Sequence, residues 1–210
     1  MKPTIAVFIH DPQCETECAL GMIEGLVRDF NIRTFGLDEL TPEFLDTVDA
    51  VAFPGGMGDA DDFYDIFTDE DVETVQNFVS NGGKYFGICM GAYWASQHYF
   101  DVANNLEIAQ YIEQPGSEIN YDGATVAEVN WNGSDEIMYF HDGCAIDGNG
   151  MDVVATYANG NAMAIIQGNV GLIGCHPEAQ HWWYNDVGYR FYKNHHKELM
   201  ADFVKELVNE

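Results

Sequence analysis

The chain has 210 residues, of which 47% are hydrophobic and 13% aromatic, so it can bury a sizeable core and is not a disordered or fibrous chain. Its 35 acidic residues outnumber 8 basic ones, which gives a formal net charge of -27 and repels phosphate backbones and anionic lipids. We therefore expect no nucleic-acid partner and no membrane partner. Solubility, a salty environment or a basic protein partner would each account for the acidity.

The chain shows no sign of export. The first apolar run, residues 5–9, is too short for a signal peptide, and no later run reaches the roughly 18 apolar residues of a membrane span. Five cysteines, an odd number, argue against a disulfide framework. We expect a cytoplasmic protein with reduced thiols.

Strand and helix patterns alternate in the first hundred residues. Strands are predicted at residues 4–9, 32–35, 48–53 and 84–88, and helices at residues 15–29, 69–80 and 90–99. This alternation predicts a parallel sheet that is covered by helices on both faces.

The pattern changes near Ile108 to short runs separated by turn signals such as Asn132-Gly133, which predicts antiparallel strands. A last strand is predicted at residues 171–175 and a last helix at residues 187–208. Because no linker or repeat interrupts the chain, the sequence predicts one α/β domain over residues 1–210. Its expected form is a three-layer sandwich with a mostly parallel, flavodoxin-like central sheet and an antiparallel extension.

The segment Gly87-Ile88-Cys89-Met90-Gly91 places a cysteine where a predicted strand runs into a predicted helix. Such a junction forms a tight turn that exposes a nucleophile, and the helix N-terminus favours a thiolate. A buried structural cysteine in a glycine-rich turn is the alternative interpretation. We predict that Cys89 is a nucleophile.

A thiol nucleophile needs a base, and the base needs a third group to orient it. His176 follows the last predicted strand, and Glu178 lies two residues further on, so both side chains can face the same side. We predict that His176 is the base and Glu178 its orienting partner. His195 and His196, in the predicted terminal helix, are interpreted as solvated residues.

Another predicted strand ends in Pro54-Gly55-Gly56, where backbone N–H groups can point into a site because no Cβ blocks the approach. We predict that the N–H groups of Gly56 and Met90 form an oxyanion hole and that Gly55 lines the substrate pocket. Trp182, which closely follows the predicted base, is expected to form a wall of that pocket.

Two groups of possible metal ligands lack the pattern of a site. Cys14 and Cys18 share one predicted helical face near His10, but a closed zinc site needs four ligands. Four aspartates after the glycine loop lack the spacing of a calcium loop: Asp59, Asp61, Asp62 and Asp65. We therefore expect no metal and no cofactor.

The three motifs that end in Gly56, Gly91 and Glu178, taken together, resemble the class I glutamine amidotransferase-like superfamily. Residues 82–93 and the run Val153-Val154-Ala155-Thr156-Tyr157 look like the amidotransferase-like domain at the N-terminus of some biotin-protein ligases. The resemblance implies the same roles for Cys89, His176, Glu178, Gly56 and Met90. It also implies a small-molecule amide substrate and ammonia supplied to a separate synthetase or ligase subunit.

Tyr93 departs from the family pattern. Members that hydrolyse glutamine usually carry Gln four residues after the nucleophile, in the substrate pocket, and this chain has Tyr93 there. Two hypotheses stay open: an enzyme that attacks a carboxamide or related acyl carbon, and a non-catalytic binding or scaffold module. The intact set of Cys89, His176 and Glu178 favours the enzyme, whereas Tyr93 favours the module.

Overall fold

A central sheet joins eleven strands of the described chain. The structure is a computed structural model that describes residues 2–10, 16–56, 58–190 and 195–209. Five of the strands run parallel in the order β2-β1-β3-β4-β11. They are β1 (Thr4–Phe8), β2 (Asn31–Phe35), β3 (Ala50–Phe53), β4 (Lys84–Ile88) and β11 (Val170–Ile173). β3, β4 and β11 are buried along their whole length, as expected of parallel strands covered on both faces.

The predicted antiparallel extension continues the sheet beyond β11. It contains β5 (Leu106–Gln110), β6 (Thr125–Trp131), β7 (Ser134–Phe140), β8 (Cys144–Gly148), β9 (Asp152–Tyr157) and β10 (Ala162–Gln167). β10 pairs with β11, and the order continues β10-β9-β6-β7, while β5 and β8 form a side branch on β10. Asn132 and Gly133 have φ values of 48° and 87°, so this pair supplies the two positive φ angles of the tight β6-β7 turn.

Helices cover the two faces of the parallel half. They are α1 (Thr16–Leu26), α2 (Pro42–Leu45), α3 (Phe63–Ile66), α4 (Asp69–Ser80), α5 (Met90–Tyr93), α6 (His181–Asp186) and α7 (His196–Asn209). α1 and α7 pack on one face, and α3, α4 and α5 contribute to the apolar layer on the other. The predicted three-layer α/β architecture is confirmed.

No helix in the described ranges combines the length and the apolar character needed to cross a bilayer.

Two predicted helices differ from the structure. The helix expected at residues 90–99 ends at Tyr93, because the chain turns there to bring Trp94 and Phe100 into the apolar layer, where neither is exposed. The helix expected at residues 187–208 does not begin at 187. α6 ends at Asp186, and Gly188 follows in the left-handed region with a φ of 74°, which is a common way to stop a helix.

Candidate active site

Cys89 lies at the junction between β4 and α5, where the sequence places it. Its φ of 49° and ψ of -107° are unusual for a residue with a side chain, so the turn is strained. A Cβ on Gly91 would lie 2.0 Å from the Phe53 carbonyl oxygen, and a Cβ on Gly87 would lie 2.3 Å from the Gly91 carbonyl oxygen. Both flanking residues are therefore glycine because backbone passes directly against them.

His176 and Glu178 form a buried pair just after β11. The His176 Nδ1 lies 2.8 Å from Glu178 Oε1, and the two side chains are only 4% and 0% exposed. The His176 backbone N–H donates to the Tyr139 carbonyl at 2.9 Å, which ties His176 to the end of β7. Gly21 in α1 makes room for the backbone of Glu178 and the stem of its side chain, since a Cβ there would lie 2.5 Å from the Glu178 carbonyl oxygen and 3.1 Å from its Cγ.

The charges around the His176 ring favour its protonated form. Burial by itself lowers the pKa of His176, but the negative charges on Glu178 and Cys89 raise it by more, so its net pKa lies well above the usual value. Within the described chain, His176 Nε2 has no hydrogen-bond partner. Since Nδ1 is held by Glu178, Nε2 is the ring atom left to exchange a proton with Cys89 or with a substrate.

Cys18 is a neighbour of this pair that the sequence did not identify. The reactive atoms of Cys18, His176 and Glu178 all lie within 4.8 Å of one another. A Cβ on Gly55 would meet His176 Cε1 at 2.7 Å and Cys18 Sγ at 3.2 Å, so Gly55 is packed against the ring. Burial raises the pKa of Cys18 to about 12, which keeps this thiol protonated. Cys14, which the sequence groups with Cys18, lies outside the described residues.

Two neighbouring cavities divide the predicted site residues between them. A cavity of about 610 Å³ is lined by Cys89, Met90 and Tyr93, and one of about 360 Å³ is lined by His176 and Trp182. Gly56 and His141 line both cavities. Cys89 and His176, the predicted nucleophile and base, therefore line adjoining cavities that share Gly56, a predicted oxyanion donor.

His141 is a second residue that sequence reasoning missed. The Cys89 Sγ lies 3.4 Å from the His141 carbonyl oxygen, which accepts its hydrogen bond. Burial, with the nearby His176 charge, lowers the pKa of His141, so its ring is neutral at neutral pH. His141 follows β7 in a turn with no local motif, and only the fold brings it to Cys89.

Tyr93 and a group of carboxylates shape the larger cavity. The Tyr93 hydroxyl donates to the Asp142 carbonyl at 3.1 Å, and burial raises the pKa of Tyr93, so this hydroxyl is neutral and already engaged. None of the described residues that line the cavity is Lys or Arg. Four of them are acidic: Asp59, Glu113, Asp122 and Asp142. The cavity therefore favours neutral or positively charged groups.

The interpretation of His196 as a solvated residue is wrong, whereas His195 is partly exposed. His196 is fully buried, His195 is 40% exposed, and both rings contact the Glu136 carboxylate of β7. The start of α7 packs against β7 here. No local pattern reveals this contact, because His195 and His196 follow Glu136 by 59 and 60 positions in the sequence.

Comparisons with known proteins agree with this architecture. Residues 12–113 match the family described as the N-terminal part of biotin-protein ligase, a segment that contains Cys89 and ends before His176. A comparison with curated proteins finds no match.

Several solved structures share the whole fold. A structure described as a glutamine amidotransferase is 17% identical, with a TM-score of 0.66, over 98% of this chain and 99% of its own. A glutamine amidotransferase from Thermotoga maritima is 13% identical, with a TM-score of 0.67, over 100% of both chains. PurLQS from the same organism is 16% identical, with a TM-score of 0.60, over 99% of this chain and 100% of its own. The chain thus has the fold of these glutamine amidotransferases, and its residues 12–113 are similar to the N-terminal part of biotin-protein ligase.

Proposed function

We propose that this protein is a cysteine-dependent amidohydrolase of the glutamine amidotransferase type, with Cys89 as nucleophile, His176 as base and Glu178 as orienting partner. The observation that carries the proposal is the buried His176–Glu178 pair, whose Nε2 is left without a partner in the described chain beside the strained Cys89 turn. A buried ion pair and a strained backbone both cost stability, so a chain that needed only a scaffold would gain nothing from them.

The proposed reaction has two halves. In the reactive form of the site His176 already holds the proton of Cys89, and the sulfur attacks the carboxamide carbon, so that the carbonyl π electrons move to the oxygen. The N–H groups of Met90 and Gly56 stabilise this oxyanion. When the intermediate collapses, the amide nitrogen takes the proton from His176 and leaves as ammonia. Water, deprotonated by His176, then attacks the thioester, releasing a carboxylic acid and restoring the Cys89 thiol.

The lining of the larger cavity narrows the substrate class. The acidic side chains repel a substrate carboxylate, and the Tyr93 hydroxyl is already bonded to the Asp142 carbonyl. We therefore propose a neutral or cationic carboxamide as the substrate rather than free glutamine, whose α-carboxylate would meet this field.

The destination of the ammonia is the second part of the proposal. The similarity to glutamine amidotransferases and to the N-terminal part of biotin-protein ligase supports a separate synthetase or ligase subunit that receives the ammonia.

The test is to trap Cys89 with diazomethyl ketone analogues of three carboxamides, one neutral, one cationic and one anionic, and to locate the adduct by peptide mass spectrometry. We expect one adduct, on Cys89, formed faster with the neutral and cationic probes than with the anionic probe. Cys89→Ser should abolish it and His176→Ala should slow it, whereas the matched control Cys144→Ala should not change it. Adduct formation that is independent of His176 would overturn the proposed mechanism.

A further inference from the structure

A second cluster of metal-binding side chains lies outside the candidate active site. The His195 Nε2 is 2.9 Å from Glu136 Oε1, and the His196 Nε2 is 3.3 Å from Glu136 Oε2. One ligand atom from each of the three residues lies within 4.8 Å of the others. Two imidazole nitrogens and one carboxylate group thus lie close together between β7 and the start of α7.

The spacing of these atoms suits a zinc ion. Tetrahedral zinc with bonds of 2.0 to 2.1 Å holds its ligand atoms about 3.3 Å apart. The two N···O separations, 2.9 and 3.3 Å, lie just below and at that value. Small side-chain shifts would therefore admit the ion. Two histidines and a glutamate form a donor set that zinc uses in proteins.

The surroundings of His196 are those of a metal ligand whose orientation is fixed. Its Nδ1 lies 3.1 Å from the Tyr184 hydroxyl oxygen, which also accepts the Tyr139 backbone N–H at 3.0 Å. If Nδ1 carries the proton and donates to Tyr184, the Nε2 lone pair faces the other two ligands. The His196 ring is fully buried, so its orientation toward Glu136 is held by the packing around it.

We propose that Glu136, His195 and His196 bind a zinc ion that fastens the start of α7 to β7. His195 is 40% exposed, so a remaining coordination position faces the solvent and can hold water. The site departs from the expectation of no metal, because its ligands come from segments about sixty residues apart and share no sequence motif. The strongly negative surface would also raise the local concentration of divalent cations.

The experiment titrates the full chain, stripped with a chelator, with Zn²⁺ in competition with a chromophoric chelator. We expect a site that is weakened at least about tenfold by Glu136→Gln and by His195→Ala and unchanged by His98→Ala, an exposed histidine elsewhere. Because His195 is partly exposed, its replacement should leave the fold intact, which circular dichroism verifies.

A Co²⁺ titration separates this site from the thiols near Cys89. Binding at Glu136, His195 and His196 gives weak visible bands, whereas thiolate ligation adds strong near-ultraviolet absorption. We expect the visible bands to persist in Cys89→Ser and to disappear in His195→Ala. Zn²⁺ affinity that is equal in wild type, Glu136→Gln and His195→Ala would overturn the proposal and leave the cluster as a hydrogen-bond network only.

Discussion

The four cysteines of the described chain are all buried, but their surroundings give them different chemistry. Burial raises the pKa of Cys18 and of Cys175 to about 12, and it raises the pKa of Cys144 well above its usual range. Cys89, in contrast, lines the larger cavity and interacts with a protonated His176. Under the proposed function, the same residue type serves packing at three positions and chemistry at one.

We expect iodoacetamide to label Cys89 faster than Cys18, Cys144 or Cys175 in the folded protein at neutral pH. A thiolate is the reacting species, and the three other thiols stay protonated. Peptide mass spectrometry after timed quenching measures each rate. His176→Ala should slow labelling of Cys89 and of no other cysteine; equal rates at all four positions would refute the assignment.

Glu178→Gln should lower the pKa of His176, because the carboxylate charge is the main influence that raises it. A histidine whose pKa is raised on folding stabilises the folded state fully at pH values below its unfolded pKa of about 6.5. This stabilisation is lost as the pH rises through the pKa of the folded state. Wild-type stability should therefore fall with pH above about 6.5, and the variant should lose this slope. Urea unfolding at several pH values measures it, with NMR titration of His176 as the direct check. An unchanged slope would contradict the pairing.

Tyr93→Gln tests why glutamine should be a poor substrate. The Tyr93 hydroxyl is bonded to the Asp142 carbonyl, and its ring offers no amide group to a substrate. We expect glutaminase activity of the isolated wild-type chain to be far below the roughly 10 s⁻¹ typical of enzymes. Activity gained in the variant would identify Tyr93 as the cause, whereas a wild-type rate near that value would refute the argument. Tyr93→Phe, which removes only the hydroxyl, is the matched control.

At the scale of elements, the conformation of the turn between β4 and α5 depends more on Gly87 and Gly91 than on α5. α5 has only four residues, so its dipole is smaller than that of the longer helix expected at residues 90–99. The close approach of β3 to this turn holds the strained Cys89 backbone in place.

Gly91→Ala should disrupt this turn, because the new Cβ would lie 2.0 Å from the Phe53 carbonyl oxygen, where neither α5 nor the end of β3 can move easily. We expect a loss of at least about 3 kcal/mol in the free energy of unfolding, together with slower labelling of Cys89. Gly36→Ala is the control, since its new Cβ would meet only the Ile9 carbonyl oxygen at 3.9 Å. Similar midpoints of urea unfolding for the two variants would show that the turn is not constrained as described.

The elements differ in how far the sequence reveals them. β4, α4 and the Cys89 turn are predictable because apolar runs, a Thr68 cap and paired glycines are local signals. The contacts of His141 with Cys89 and of Glu136 with His195 are not, because each joins segments more than fifty residues apart. The end of α6 at Gly188 is only partly predictable. The sequence shows the glycine, but helical periodicity on both sides of it conceals that the helix stops there.

At the scale of the whole molecule, the sheet unites the parallel and antiparallel halves. The β10-β11 ladder joins them, and one apolar cluster includes Ile5 and Ala19 of the parallel half together with Trp131 and Met163 of the extension. On this basis we propose that the chain folds as one domain. Its carboxylates must then be held at close range over one compact surface.

This crowding of charge should make stability depend on salt. At a net charge of -27, self-repulsion weakens the folded state, and added salt shortens its range from about 30 Å at 0.01 M to about 8 Å at 0.15 M. We expect the midpoint of urea unfolding to rise steeply with NaCl up to about 0.15 M and to level off beyond it. Salt effects on apolar hydration instead grow steadily with concentration, so a straight rise from 0.01 M to 1 M would show that repulsion is not the cause. Chelator-treated protein serves as the control, because it removes any contribution of a bound divalent cation to the curve.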